Sequence, residues 1–292
     1  MDLEIVMPFY GDPAQFREAV ASVLAQRDPD WRLTVIDDAY PDTEPGEWFA
    51  ALDDPRLRYM RNPENLGVRG AFQRSLDLST GELITIMGCD DRMLPDYVGR
   101  ARAGFARFPD GAYYQPGVRV IDDTGEPARP LADRVKEHYR IESDDVEVVG
   151  GERLARSLLR GNWTYFPSIC WRADAVRAHG FSDYEVVLDL ALQLDLVLDG
   201  GTMILDPETT FEYRRHLQSV SSWRADDGSR FIEEREVMHD YASRADALGW
   251  ARAARAGRAR VSSRLNALSR LPSAAASRSG GVGTLLAHAF GR

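Results

Sequence analysis

Short apolar runs alternate with amphipathic stretches over the first hundred residues. Leu3–Phe9 is a nearly continuous apolar run, and residues 32–38, carrying Leu33, Val35 and Ile36, form a second. Residues 56–61 alternate, and residues 83–87 place β-branched Ile84, Thr85 and Ile86 between Gly81 and Gly88. All four read as strands. Asp12 followed by Pro13 supplies an N-cap and a first-turn proline for a helix to about Gln26. Helices are also predicted around residues 48–52, over 68–78, and from Leu94-Pro95 onward. This alternation implies right-handed crossovers and an α/β fold with a mainly parallel sheet.

The second half continues with strands over residues 111–122, kinked at Pro116-Gly117, and a polar insertion or lid to about Val149. A helix follows over residues 151–160. Residues 185–198 are so apolar that the helix they form is expected to be buried. It ends at Gly200-Gly201, before a strand over residues 202–205 and a segment over 210–216 that leads into the Ser-rich LQSVSS. Residues 229–248 read as a surface helix. Beyond it, Val261, Leu265, Leu268 and Leu271 make a narrow apolar stripe flanked by Arg260, Arg264 and Arg270, and the Ser/Ala/Gly-rich residues 273–283 read as flexible.

The composition, 44% hydrophobic and 28% charged over 292 residues, is that of an ordinary globular chain with a sizeable core. No apolar run reaches the ~18 residues of a spanning helix, and the N-terminus lacks the basic region of a secretion signal. Two cysteines, Cys89 and Cys170, make no disulfide framework. The expected compartment is therefore cytoplasmic. Charge is uneven: residues 251–292 hold eight arginines and no acid, so a total of −10 leaves −18 on the rest. An acidic body argues against nucleic acid as a partner, while the basic segment suits an anionic membrane surface, a dimer contact or a disordered tail. There is no GxGxxG after the first strand, no P-loop and no Cys/His cluster with zinc spacing, so a Rossmann dehydrogenase, an ordinary P-loop enzyme and a zinc module are set aside.

Carboxylates stand where strands end. Asp37-Asp38 closes the second strand and Asp90-Asp91 follows the fourth, at the sheet edge where α/β proteins bind ligands. Paired carboxylates there suit a divalent cation on a diphosphate, although a solvated Asp-Asp turn reads the same way locally. Asp189 and Gln193 share one face of the apolar helix, which requires a cleft or a buried partner for the aspartate. Trp163, Tyr165 and Phe166 either stack on a sugar or pack in the core.

Taken together, IVMPFYGD, ASVLAQRDPDWRLTVIDDAYPD, RLRYMRNPENLGVRGAFQRSLDLSTGE and GELITIMGCDDRMLP resemble, in order and spacing, an inverting family 2 glycosyltransferase with the GT-A fold. The match is dense over about the first hundred residues and looser over 161–222. The resemblance implies a GT-A domain over residues 1–225, with a nucleotide-sugar half (1–110) and an acceptor half (111–225), then the surface helix and a basic C-terminal segment. It implies nucleotide-sugar contacts from Pro8, Phe9, Tyr10, Asp37, Asp38, Arg69, Cys89 and Asp91, and acceptor contacts from Trp163 and Tyr165. It also implies a divalent metal (Mn2+ or Mg2+) on Asp90 and His216, the histidine of YRRH, and Asp189 as catalytic base. An aspartate that accepts a uracil imide N–H favours a UDP donor. The expected acceptor is a glycan, a lipid-linked glycan or a small molecule.

Three positions depart from the family pattern. Gly88 replaces the first acid of the Asp-any-Asp motif, Leu188 replaces the Glu beside the base, and Phe72-Gln73 stands where many relatives have Arg-Asn. The first two losses leave open a catalytically silent protein that binds a nucleotide or glycan. A sugar-1-phosphate nucleotidyltransferase is disfavoured because MPFYGDPAQF has neither a glycine pair nor a lysine.

Overall fold

The structure is a computed structural model that describes residues 1–184, 186–216, 229–277 and 282–291. The first half runs β1 (Leu3–Phe9), α1 (Pro13–Leu24), β2 (Trp31–Asp37), α2 (Glu44–Ala50), β3 (Leu57–Arg61), α3 (Gly67–Leu78), β4 (Leu83–Ile86), β5 (Arg92–Met93) and α4 (Tyr97–Arg107). The second runs β6 (Tyr113–Ile121), α5 (Leu131–Tyr139), β7 (Glu147–Gly150), α6 (Gly151–Arg160), β8 (Cys170–Arg172), α7 (Ala173–His179), α8 (Leu188–Leu198) and β9 (Thr202–Arg214). Among the described residues, four helices follow: α9 (Ser229–Ala247), α10 (Ala251–Ala259), α11 (Val261–Ser277) and α12 (Val282–Phe290).

Among the described residues, one sheet of nine strands runs β3-β2-β1-β4-β8-β6-β9-β5, with β7 also on β9. Strands β1 to β4 pair in parallel, and β8 enters antiparallel between β4 and β6. The apolar runs are explained by burial on both faces. Along β1, Leu3, Ile5, Met7 and Phe9 join Phe16, Val20 and Phe105 on one side of the sheet, while Val6 packs with Ile36, Ile84, Leu158 and Leu194 on the other. Glu4, 3% exposed, is the exception in β1. Its carboxylate accepts from Thr34 Oγ1 (2.9 Å), Thr80 N (2.7 Å) and Gly81 N (2.9 Å), so it ties the turn before β4 to β2 and leaves no buried charge unpaired.

The structure differs from the sequence expectations at several elements. Arg92 and Met93 pair antiparallel with Glu212 and Phe211, so the helix expected from Leu94-Pro95 begins only at Tyr97. Residues 202–214 form one strand rather than two pieces, kept against β6 through a register shift at Gly117. A Cβ at Gly117 would lie 2.6 Å from the Pro207 carbonyl oxygen and 2.8 Å from that of Glu208, so the kink needs a glycine for close backbone approach. The apolar helix starts at Leu188; residue 185 lies outside the described residues, as does the LQSVSS turn. The helix read as a surface element buries Val237, Met238, Tyr241 and Ala242.

The start of the basic segment is packed, not a tail. Ala253 and Ala254 are buried, and Gly257 of α10 brings its backbone against Met238 and Ala242 of α9. Small residues permit this approach, and arginines on the other face keep their charge in water. The stretch read as flexible is helical to Ser277. No described helix is long and apolar enough to cross a membrane.

Candidate functional site

The carboxyl ends of β1, β2 and β4 form one end of the site. Tyr10, just past β1, is 56% exposed and meets the Tyr40 ring edge-on at 5.7 Å, which offers an aromatic face to a ligand. Phe9 does not share that role through its ring. It is fully buried, stacked on Phe16 at 4.3 Å, so only its main chain is left for a nucleotide, and its carbonyl already accepts from Asp38 N. Pro8 is half-buried beside it.

Both carboxylates after β2 are buried and engaged inside the protein. Asp37 accepts from Tyr40 N (2.7 Å), Tyr59 Oη (2.5 Å) and Arg61 Nη1 (2.6 Å). Asp38 accepts from Asn62 Nδ2 (2.8 Å), Leu66 N (2.9 Å) and Gly67 N (3.1 Å). Leu66 has no capping side chain of its own, so Asp38 supplies from a distant strand the acceptor that the start of α3 needs. These carboxylates shape the loops, and what they can still give a ligand is a spare lone pair. Arg69, on α3, reaches across to form an ion pair with Asp183.

The turn after β4 gathers the acidic pair. The Asp90 carboxylate accepts from His216 Nε2 at 2.7 Å, and the other ring nitrogen faces Asp123 Oδ1 at 2.5 Å. The hydrogen bond to Asp90, with the Asp123 carboxylate behind it, holds the His216 pKa above its ordinary value, so the charged imidazolium is favoured. Asp91 is 1% exposed. Its Oδ1 accepts from Arg214 N at 2.8 Å, while Oδ2 has no partner among the described residues. Burial, and then the Asp90 charge, push the Asp91 carboxyl well above the usual carboxylate range. Cys89 is a thiol rather than a thiolate, pushed up to about 12 by burial and the same Asp90 charge.

Gly88 explains how these oxygens converge. A Cβ there would lie 2.6 Å from Asp91 Oδ2 and 2.7 Å from Asp90 Oδ1, so the two carboxylates close into the space that a side chain at the first motif position would fill. An unpartnered buried oxygen and a second carboxylate at one cradle suit a hard divalent cation, which takes oxygen ligands and recruits only one or two from the protein. No cluster of three His, Cys, Asp or Glu with metal-holding geometry occurs among the described residues. The oxygens that would hold such a cation are Asp90 Oδ1 and Asp91 Oδ2, a sparse site, while both ring nitrogens of His216 face the carboxylates of Asp90 and Asp123.

Arg214, two residues before His216 in YRRH, is the part sequence reasoning missed. Its side chain is fully buried and donates to the Asp90 carbonyl (2.7 Å), to the Asp122 and Asp123 carbonyls (3.1 Å each) and to Glu18 (2.7 Å). Five donors on a rigid fork let one arginine bind two loops and helix α1 together. Adjacent Arg215 turns the other way and pairs with Asp133, which also accepts from Tyr165 Oη at 2.9 Å.

Asp189 lies in the first turn of α8 and is half-buried, its Oδ2 accepting from Asn162 Nδ2 at 2.8 Å. Asn162 in turn accepts from Thr164 Oγ1 (2.8 Å), and that hydroxyl accepts from Gln193 Nε2 (2.9 Å). This chain orients the carboxylate and leaves Oδ1 without a partner among the described residues. Leu188 is buried at 4% exposure, so nothing acidic flanks Asp189 from that position. Tyr213 and Tyr165, with ring centroids 4.9 Å apart, stand between the two groups of carboxylates: the Tyr213 hydroxyl is raised by burial and by the charges of Asp91 and Asp90, while Tyr165 leads through Thr164 to Asn162 and Asp189. Trp163 is buried, its Nε1 donating to Ser157 Oγ at 2.9 Å, which makes it a packing residue whose edge lines the cavity beside Tyr165.

Residues 4–174, more than half the chain, match the model of glycosyl transferase family 2. Over 95 residues the chain is 30% identical to the putative colanic acid biosynthesis glycosyl transferase WcaA of Escherichia coli K12, a match that spans 32% of this chain and 34% of that one. The structure is similar to that of residues 1–349 of S. aureus TarS, with a TM-score of 0.68 at 13% identity over 99% of this chain and 81% of that one. It is also similar to the mannosyltransferase PcManGT of Pyrobaculum calidifontis in complex with GDP-Man and Mn2+, with a TM-score of 0.63 at 14% identity over 98% and 85% of the two chains. At these identities the likeness is one of fold, and that fold is GT-A.

Proposed function

Given that the chain belongs to glycosyl transferase family 2, and so is a glycosyltransferase that uses a nucleotide sugar, we propose that it transfers the sugar to an acceptor hydroxyl in one inverting displacement, with a UDP-sugar as the favoured donor. The observation that carries this reading is Asp189. A half-buried carboxylate in the first turn of a buried helix, fixed through one oxygen by Asn162 and open at the other, is built to accept a proton. Deprotonating the acceptor hydroxyl as it attacks the anomeric carbon makes a direct displacement sufficient, and no enzyme nucleophile is required. The leaving diphosphate lies, in this reading, at the ends of β1, β2 and β4, with Tyr10 against the base, Asp37 and Asp38 holding the loops around the nucleoside, and Cys89, Asp91 and Arg69 at the sugar and diphosphate. Mn2+ or Mg2+ held by Asp90 and His216 would supply positive charge to the departing diphosphate; PcManGT carries Mn2+ in its complex. Arg214 keeps the Asp90-Asp91 turn and the Asp122-Asp123 loop in register, so that both carboxylates facing His216 are fixed before a ligand arrives.

A panel of UDP-, GDP- and dTDP-sugars, read by thermal shift with Mn2+ present, tests the donor. One UDP-sugar at 100 times its Kd should stabilise the protein by about 2.7 kcal/mol, and NMR of the product should show inversion at the anomeric carbon. A shift with GDP-sugars alone overturns the UDP preference. A shift with no donor hydrolysis or transfer from any member overturns the transfer chemistry and favours the silent binding protein that Gly88 and Leu188 suggest, and no shift with any member overturns the donor reading itself.

The work site in this reading is the inner face of the plasma membrane, reached through the C-terminal helices. Val261 and Leu265 (55% exposed each) on α11, with Leu286 (42%) and Phe290 (70%) on α12, are exposed, and the basic residues nearest them in sequence are the exposed Arg252, Arg255 and Arg258 of α10 and the partly exposed Arg264, Arg260 being buried. Exposed apolar side chains with basic neighbours suit an anionic bilayer. Co-sedimentation with phosphatidylserine-containing vesicles is expected, and is expected to weaken as salt rises. Dimerisation in place of vesicle binding overturns the membrane reading.

A further inference from the structure

Between β6, α5 and residues 163–165 lies a cavity of about 350 Å³ that collects more positive charge than the groups around it neutralise. Arg119, Arg129, Arg134, Lys136 and Arg140 line it. Arg119 is paired with Glu212 at 2.6 Å. The Asp133 carboxylate in the lining is already committed to Arg215 and the Tyr165 hydroxyl. Among the described residues, Arg129, Arg134 and Arg140 make no side-chain hydrogen bond or ion pair. The ammonium of Lys136, the single lysine of the chain, rests on the Thr164 carbonyl (3.0 Å) and over the Tyr165 ring (4.0 Å). Against these four cations, none paired with an acid, the wall offers the one uncommitted carboxylate of Glu137.

Arg129 and Arg134 reach solvent at the mouth, while Lys136 and Arg140 are partly buried, so the charges of these two are held in a partly dry wall that an anion would relieve. Burial first, then the charge of Arg215, lowers the Lys136 pKa to about 8, and burial lowers that of Arg140. A second, independent feature points to a ligand. Gln115 lines the same cavity at 1% exposure, with Nε2 spent on the Pro116 carbonyl (2.9 Å) and Ser168 Oγ (3.1 Å), while its Oε1 has no partner among the described residues. A buried acceptor left open is costly unless a ligand hydroxyl or N–H reaches it. Asp189 does not line the cavity but is linked to it: Lys136 donates to the Thr164 carbonyl, the Thr164 hydroxyl donates to Asn162, Asn162 donates to Asp189, and the Asp189 charge acts on Lys136.

We propose that this cavity is the acceptor site and takes a hydroxyl-bearing chain that carries an anionic oxygen group, a phosphate or a carboxylate. Arg129, Arg134 and Arg140 meet the anion, and Gln115 Oε1 accepts from a hydroxyl. Guanidinium forks match both kinds of oxyanion, so the arginines read charge and leave the choice between the two to the shape of the acceptor. The inference rests on the glycosyltransferase reading for the word acceptor, but its binding chemistry can be measured apart from it.

Calorimetric titrations at low salt, with UDP and Mn2+ present, would use glucose 6-phosphate, glucuronate and glucose as probes of phosphate, carboxylate and neutral chemistry. At least one anion is expected to bind ten or more times more tightly than glucose, and whichever anion binds identifies the source of the charge. Arg134→Gln and Arg140→Gln are each expected to weaken anion binding about tenfold with UDP affinity unchanged, which also reports that the variants are folded. Equal binding of glucose and both anions, no anion binding by a protein that still binds UDP, or full anion affinity in the double variant overturns the proposal. Wild-type protein that binds anions but no nucleotide overturns the donor reading instead.

Discussion

Asp189→Asn is expected to lower kcat for sugar transfer by about a thousandfold, within the range for loss of a positioned general base, while donor affinity stays that of the wild type. Asparagine has the same shape, and its side-chain oxygen still accepts from Asn162, so the helix start and the Asn162-Thr164-Gln193 chain are preserved. Only the ability to take up a proton is lost. Steady-state transfer assays, paired with UDP titration by calorimetry, separate chemistry from binding. If the variant keeps a tenth or more of the wild-type rate, Asp189 is not the base. If donor affinity falls with the rate, the residue serves binding and the direct-displacement reading loses its carrier.

Asp90→Ala is the second large effect expected, a fall of about 10²- to 10³-fold in transfer, comparable with the loss of one placed electrostatic partner at a developing charge. Two things change together. The turn loses its half-exposed carboxylate, and His216 keeps only Asp123 as a partner, so the imidazole is no longer fixed over the turn. Asp91 does not replace it, because it is buried and one of its oxygens is tied to Arg214 N. Mn2+ titrated into the protein with UDP present should bind more weakly in the variant, a readout independent of turnover. Unchanged Mn2+ affinity, with transfer still stimulated by metal, would falsify the assignment of Asp90 as a metal ligand.

The two variants probe positions that were legible in the sequence to different degrees. Asp90 and His216 were marked by a motif, and the structure brings them to 2.7 Å although they are 126 residues apart in the chain. Their surroundings were not marked. Asp123 looks like any loop acid, and Arg214 like the unremarkable first half of an Arg-Arg pair. Only the passage of β9 beneath the Asp90-Asp91 turn shows that one arginine is a buried staple while its neighbour faces Asp133. Phe9 and Trp163 show the reverse: aromatic residues beside a motif suggested ligand contacts, and packing claimed their rings.

By itself the sequence determined the order and kind of most elements, the parallel first half of the sheet and the family. Those properties are written locally: an apolar run marks a strand buried on both faces, Asp12-Pro13 marks a helix start, and motif spacing follows from strands that end at one edge. Only the tertiary structure decided the two-residue strand β5, the capping of α3 by Asp38, the closure of Asp90 and Asp91 over Gly88, and the cationic cavity beside Asp189. Each of these depends on which distant group meets which. The physical reason is that helix and strand periodicity is set by neighbours along the chain, whereas the partner of a charge or an orphan hydrogen-bonding group is chosen by long-range packing.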